Sequence, residues 1–354
     1  MKSNTFHVRN AVTSSRNNYL TILEDAWSKH LEPRTENAPT VISTFAGCGG
    51  SSLGYSMAGY RELLAVEWDN NAVETFKLNF PDVPVYHGDI AKLTTEQVFQ
   101  LTGLEPGQLD VFDGSPPCQG FSTAGKRILE DSRNQLFREY VRLLRGLQPK
   151  VFVMENVSGM VKGKMKLIFA EIMRELKASG YKVSARLMNA MYFNVPQSRE
   201  RMIFIGVRND LGIEPSYPKA QRKPFTVHEA FHNCPEWQVE FPDYSTALGK
   251  CCKGMIQGQS ADEFYKPNWG FQLIRLHPFR VAPTISRGGG ATGFIHPFES
   301  RKVSGAELRR LASFPDGFVF SGKRQNTQDR IGNSVPPLFM KAIAEHIRAN
   351  ILSS

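Results

Sequence analysis

One thiol in this chain sits in an unusual setting. In "GSPPCQGFS", residues 114–122, two prolines stiffen the backbone directly before Cys118. A lone cysteine is more often a small buried hydrophobe than a nucleophile. The polar, basic run "QGFSTAGKR" that follows argues against burial and suits a loop that closes over an anion. Glu155, in "MENV", ends a run of apolar residues, where a carboxylate is expected to be partly buried, as an acid–base residue needs to be. "QSRERMIFIGVR" places Gln197, Arg199 and Arg201 just ahead of a strand-like segment. Strand alternation would send Arg199 and Arg201 to one face, as partners for the acid or as plain surface arginines. A thiol, a carboxylate and a guanidinium at one sheet edge could together perform nucleophilic catalysis with acid–base assistance.

A second constellation suits an adenosine. "FAGCGGSSLGY" (45–55) joins a strand to a helix through glycines that permit a tight turn and close approach of a ligand. Ser52 stands where a third fingerprint glycine would fall. Glu67 ends the next strand, placed to hydrogen-bond ribose hydroxyls. Its neighbour Trp68 can lie against an adenine, and Asp89, in "HGDI", can accept from an adenine amino group. No G-K-[ST] follows the glycines, so the phosphate-binding machinery is missing. An adenosine carrier without pyrophosphate fits, S-adenosyl-L-methionine being one. A nicotinamide dinucleotide is the alternative on these residues.

The elements that must position these groups alternate. "TVISTF", "ELLAVEWD", "LDVFDGS", "KVFVMENV", "YKVSARLMN" and "RMIFIGVR" read as strands, with helix-like segments between most of them. The expected fold is α/β, a doubly wound and mostly parallel sheet. Periodicity is lost after residue 209, and residues 210–300 are rich in proline, glycine and aromatics. Residues 1–38 read as an N-terminal extension holding one amphipathic helix and a linker. The division is therefore 1–38, 39–209, 210–300 as a smaller irregular domain, and 301–354 as a return to the first domain with a C-terminal helix.

Bulk properties narrow the class. A length of 354 residues with 41% hydrophobic content supports a real core. A net charge of +9 suits a polyanion partner. The first residues lack the apolar run of a secretory signal, and no stretch approaches the roughly 18 apolar residues of a membrane span. Five cysteines (48, 118, 234, 251 and 252) show neither disulfide-framework nor zinc spacing, so no metal is expected. The expected home is a reducing cytoplasm.

Taken in order, "FAGCGG", "EWD", "GDI", "GSPPCQGFS", "ENV", "QSRER", "RRLASFPDGF" and "QDRIGNSVPP" resemble the motifs of the DNA cytosine carbon-5 methyltransferases, from about residue 41 to 353. The resemblance implies a large domain that binds S-adenosyl-L-methionine and does the chemistry, with an inserted small domain that reads the DNA sequence. Cys118 matches the nucleophile, Glu155 the acid that contacts cytosine and Arg201 the arginine beside it, with Arg199 in support. Phe45, Ala46, Gly47, Gly49, Glu67, Trp68, Asp89, Ile90, Pro116, Leu136, Asn333, Ser334 and Val335 match cofactor contacts. Gln119, Ser122, Lys126, Arg127, Arg133, Gln197 and Arg287 are the expected DNA contacts, and Arg275 and Arg280 further candidates in the small domain. Double-stranded DNA is the implied partner, met as nucleoid DNA by a monomer; a cognate restriction endonuclease would act separately. There are departures, among them residues 1–38, which have no counterpart in the minimal family pattern. Cys48 occupies a loop position often filled by a larger apolar residue, and Ala306 stands where arginine is common. An RNA-directed enzyme of this family usually carries a Cys-Phe-Thr signature. Here Cys234 precedes proline, Cys251 precedes cysteine and Cys252 precedes lysine. A non-catalytic DNA-binding regulator of the same fold would lose the thiol or the acid, and this chain keeps both.

Overall fold

A computed structural model of the chain describes residues 18–117, 135–161, 165–221, 223–264, 272–288 and 292–353. Seven strands form the main sheet: β1 (Thr40–Thr44), β2 (Arg61–Glu67), β3 (Val85–His87), β4 (Val111–Gly114), β5 (Val151–Val157), β6 (Tyr181–Asn189) and β7 (Glu200–Arg208). Their order is β3-β2-β1-β4-β5-β7-β6. Only β7 runs against its neighbours, pairing antiparallel with both β5 and β6. The sheet is thus doubly wound and mostly parallel, as the alternation in the sequence predicts.

The apolar runs in the sequence follow from cover on both faces. Successive residues of a strand point oppositely, so Val41, Val111 and Val151 enter one core while Ile42, Phe112 and Phe152 enter the other. The first core is closed by helices Gly50–Met57 and Pro337–Ile347. Gly54 lets them touch, since a Cβ there would lie 2.6 Å from Met340 Cβ. The second core takes Tyr140, Leu144, Ile172 and Leu176 from helices Gln135–Leu147 and Met165–Ala178.

The helix Asn18–Leu31 is part of the first core. Tyr19, Leu23 and Ala26 fall on one seam and are buried there, and Trp27 packs over Gly317. Farther along the chain, parallel strands β8 (Gln272–Arg275) and β9 (Thr292–Ile295) gather a small separate core of Cys251, Cys252, Met255, Ala261, Leu273 and Ile295. Among the described residues no helix is long and apolar enough to cross a membrane.

An acidic residue lies buried within the sheet itself. Asp113, on β4 beside the glycine loop, is 3% exposed and accepts a hydrogen bond from Tyr55 Oη at 3.2 Å. Burial pushes its carboxyl up to about 8, Tyr55 opposing the shift and Glu62 adding to it. Unfolded, an aspartate ionises near pH ~4, so the folded state holds a proton that the unfolded state releases. That contribution to stability is whole below about pH 4 and is lost as the pH rises through about 8. Asp113→Asn is neutral throughout. Its Tm is expected to fall markedly less than the wild type's between about pH 5 and 9; equal slopes would mean that Asp113 is not the titrating group.

Candidate active site

The strand order reverses between β1 and β4, and ligands in open α/β sheets bind at the carboxyl edge of such a switch point. The glycine loop leaves β1 there, and Pro116 and Pro117 follow β4. The loop turns through left-handed backbone at Phe45, Gly47 and Gly49 (φ 55°, 58° and 94°). A Cβ on Gly47 would meet nothing within 4 Å, so the backbone faces open space, while one on Gly49 would strike the Phe80 ring at 2.6 Å. Gly50, which starts the following helix, lies where a Cβ would come 2.3 Å from the Val335 carbonyl oxygen. The first and last motifs of the chain therefore meet at this loop, and Cys48 Sγ lies 3.1 Å from Ser334 Oγ.

Glu67 holds the loop from β2. One carboxylate oxygen accepts from Gly47 N (2.8 Å), the other from Trp68 N (2.8 Å) and Asp69 N (2.9 Å). Its carbonyl accepts from Gly88 N, which fixes the end of β3. Trp68, beside it, is 77% exposed, a large ring offered to a ligand. Asp89 is exposed and caps the turn Ile90–Lys92 through Ala91 N at 3.0 Å, with Ile90 buried below. Phe45 and Leu136 are half-buried against the second core. Asn333 is exposed at the end of helix Arg324–Asn333, Ser334 is half-buried and Val335 is buried. An open backbone cradle, an acid on the neighbouring strand and an exposed indole together fit an adenosine-bearing cofactor.

The acid and the arginine are brought together by register. Arg201 pairs with Val157 across the β5–β7 ladder, and Glu155 lies two residues along on the same face. Arg201 Nε meets Glu155 Oε1 at 2.7 Å, and both side chains are largely buried. Asn156, on the opposite face, donates from Nδ2 to the Pro116 carbonyl oxygen at 3.1 Å. It thereby ties the acid's strand to the segment that leads to Cys118. Asn156 has no assigned role in the sequence; the signal for one is an amide at a buried strand position directly after the acid. Cys118, Gln119, Ser122, Lys126, Arg127 and Arg133 lie outside the described residues.

Two expected site residues are buried and bonded to backbone. Gln197, an expected DNA contact, is 1% exposed; its Oε1 accepts from Ile285 N (3.1 Å) and its Nε2 donates to the Leu311 carbonyl (3.4 Å). Arg199, an expected catalytic residue, is 3% exposed and donates to the carbonyls of Ile285 (3.1 Å) and Gly332 (2.8 Å). Burial, with the charge of Arg201, pushes Arg199 down to about 9, Glu155 opposing. Both side chains lace the start of β7 to the segment 282–285 and brace the edge of the site, the supporting role expected of Arg199. Arg275 is likewise buried, its guanidinium bonded to the carbonyls of Cys252, His296 and Glu299. Arg280 and Arg287 are exposed. The backbone next to Arg287 is anchored, since Gly288 N donates to Asp329 Oδ1 at 3.1 Å and its carbonyl accepts from Gln325.

Comparison with known proteins gives a consistent set of matches. The sequence profile of the C-5 cytosine-specific DNA methylases matches residues 39–349. Type II methyltransferase M1.HphI of Haemophilus parahaemolyticus is 36% identical over 326 residues, covering 87% of this chain and 86% of that one. Type II methyltransferase M.DdeI of Desulfomicrobium norvegicum is 32% identical over 376 residues, covering 87% and 88%. A structure described as that of a DNA modification methyltransferase encoded within an E. coli prophage superposes with a TM-score of 0.74 at 26% identity, covering 90% of this chain and all of that one. The S. pombe Dnmt2 methyltransferase shares the fold, with a TM-score of 0.63 at 19% identity.

Proposed function

Because the chain belongs to the C-5 cytosine-specific DNA methylase family and is a DNA cytosine-5 methyltransferase of the restriction–modification type, we propose that it methylates cytosine within one specific double-stranded DNA sequence, by base flipping and a covalent adduct at Cys118. The observation that carries this reading is the buried Glu155–Arg201 pair, whose strand is tied by Asn156 to the proline segment ahead of Cys118.

Carbon 5 of cytosine is a poor nucleophile. S-adenosyl-L-methionine supplies an electrophilic methyl group on a sulfonium. Gly47, Glu67, Trp68 and Asp89 would hold its adenosine, and Pro116, Leu136, Asn333, Ser334 and Val335 the remaining contacts. The Cys118 thiolate adds to carbon 6 while Glu155, oriented by Arg201, holds or delivers a proton at N3. Electron density gathers at carbon 5, which takes the methyl group as the methyl–sulfur bond breaks and S-adenosylhomocysteine leaves with the bonding pair; any proton delivered at N3 returns to Glu155 when the ring is restored. Loss of the carbon-5 proton to a base then expels the Cys118 thiolate by elimination and restores the ring.

None of this is possible inside the stack, so the target cytosine must leave the duplex at a cost of a few kcal/mol. Contacts from Gln119, Ser122, Lys126, Arg127 and Arg133 to the DNA would offset that cost. In this reading residues 39–209 and 301–354 form the catalytic domain. Residues 210–300 form the target-recognition domain, with the exposed Arg287 among its DNA contacts.

Bisulfite sequencing of plasmid recovered from cells that express the protein tests the reading. Protection of cytosines in one recurrent duplex sequence, lost without the protein, is expected. A fully converted plasmid would overturn it, as would protection confined to RNA.

A further inference from the structure

Helix Asn70–Asn79 follows Trp68, and one face of it is stitched to the return segment of the chain. Asn79 exchanges hydrogen bonds with Val319, donating to its carbonyl and accepting from its N–H, both at 2.8 Å. Thr75 Oγ1 accepts from Ser321 N at 3.1 Å, and Asn71 Nδ2 reaches the Ser321 carbonyl at 3.4 Å. The spacing of 71, 75 and 79 is one helix face. At the end nearest Trp68 the stitch is ionic. Arg330 grips Asp69 with both terminal nitrogens, Nη1–Oδ1 at 2.8 Å and Nη2–Oδ2 at 3.3 Å.

The two residues are joined to opposite walls of the cofactor pocket. The N–H of Asp69 donates to Glu67, and its side chain caps the helix by accepting from Ala72 N at 2.9 Å. The Arg330 carbonyl accepts from Ser334 Oγ at 2.7 Å, and Ser334 touches Cys48 in the glycine loop. Among the described residues the buried Arg330 Nε has no hydrogen-bond partner, and Asp69 accepts the side-chain hydrogen bond from Arg330 Nη2.

We propose that Asp69 and Arg330 form a positioning latch that holds the Glu67–Trp68 wall against the Asn333–Val335 wall, so that the pocket for S-adenosyl-L-methionine is formed before the cofactor enters. This rests on the assignment of that pocket above. Neither residue has to touch the cofactor. A preformed pocket saves the ordering that binding would otherwise have to supply.

The test is a double-mutant cycle read by calorimetry with S-adenosylhomocysteine on the full-length protein. Asp69→Asn keeps a competent helix cap but removes the charge, which separates the latch from the cap. Arg330→Gln removes the other half. Each is expected to weaken binding by roughly five- to tenfold, and the double variant by no more than either single, because one interaction is lost in all three. In turnover the loss should appear in KM for the methyl donor and not in kcat. Unchanged affinity in both singles, or losses that multiply in the double variant, would overturn the latch. Failure of the wild type to bind S-adenosylhomocysteine would overturn the cofactor assignment beneath it.

Discussion

Cys118→Ser is expected to show no detectable methyl transfer while binding S-adenosylhomocysteine as the wild type does. A hydroxyl is scarcely ionised near neutral pH, whereas a thiol has a usable thiolate fraction and a more nucleophilic atom. In the proposed mechanism the substitution removes the bond to carbon 6 and with it the step that makes carbon 5 reactive. The groups that hold the glycine loop are untouched, since Glu67, Gly47 and Ser334 are fixed by bonds among the loop, β2 and the return segment. Two measurements on one preparation decide the matter: incorporation of labelled methyl into duplex DNA, and calorimetric affinity for the cofactor product. Methylation at the wild-type rate would remove Cys118 from the mechanism. Loss of both activities together would show damage to the fold.

Much of this site is legible along the chain because its parts are local. Glu67, Trp68, Glu155 and the prolines before Cys118 each stand at the end of a strand whose buried run is plain in the sequence, and the edge of a doubly wound sheet is where such ends collect. What cannot be read is which polar group answers which. Arg199 and Arg201 are two residues apart in one motif, and alternation alone gives them the same role. Tertiary contacts separate them: two backbone carbonyls, from Ile285 and Gly332, take up Arg199, while Glu155 takes up Arg201. Gln197 and Arg275 went the same way, since a polar side chain in a motif looks identical whether it meets a ligand or a buried carbonyl. Asp69 and Arg330 lie 261 positions apart, a pairing no local pattern announces. The helix Asn18–Leu31 read as an appendage because its apolar seam is short. Its three buried residues nonetheless fill a groove built by distant segments, and Tyr19 reaches the Arg310 carbonyl.

Glu155 and Arg201 should fail differently when each is changed, and the contrast tests what the pair does. Glu155→Gln preserves shape and keeps an oxygen that can accept from Arg201 Nε, so its Tm should fall less than that of Arg201→Ala. It cannot deliver a proton at N3, and kcat is expected to fall by roughly 10²–10⁴-fold, the usual worth of a positioned acid. Arg201→Ala strands the carboxylate instead. The two side chains are only 14% and 12% exposed, so the unpaired charge is poorly solvated and stability should drop along with turnover. Arg201→Lys restores a cation but not the planar fork whose Nε lies 2.7 Å from Glu155. It should recover most of the Tm and only part of kcat. If the pair were merely a structural ion pair at the sheet edge, Glu155→Gln would turn over normally in single-turnover assays, and the lysine variant would regain activity in step with stability. A loss of kcat in Glu155→Gln far larger than its loss of Tm accounts for, with a lysine variant that is stable but slow, places the carboxylate in the chemistry and makes the geometry of the guanidinium, beyond its charge, what aims it.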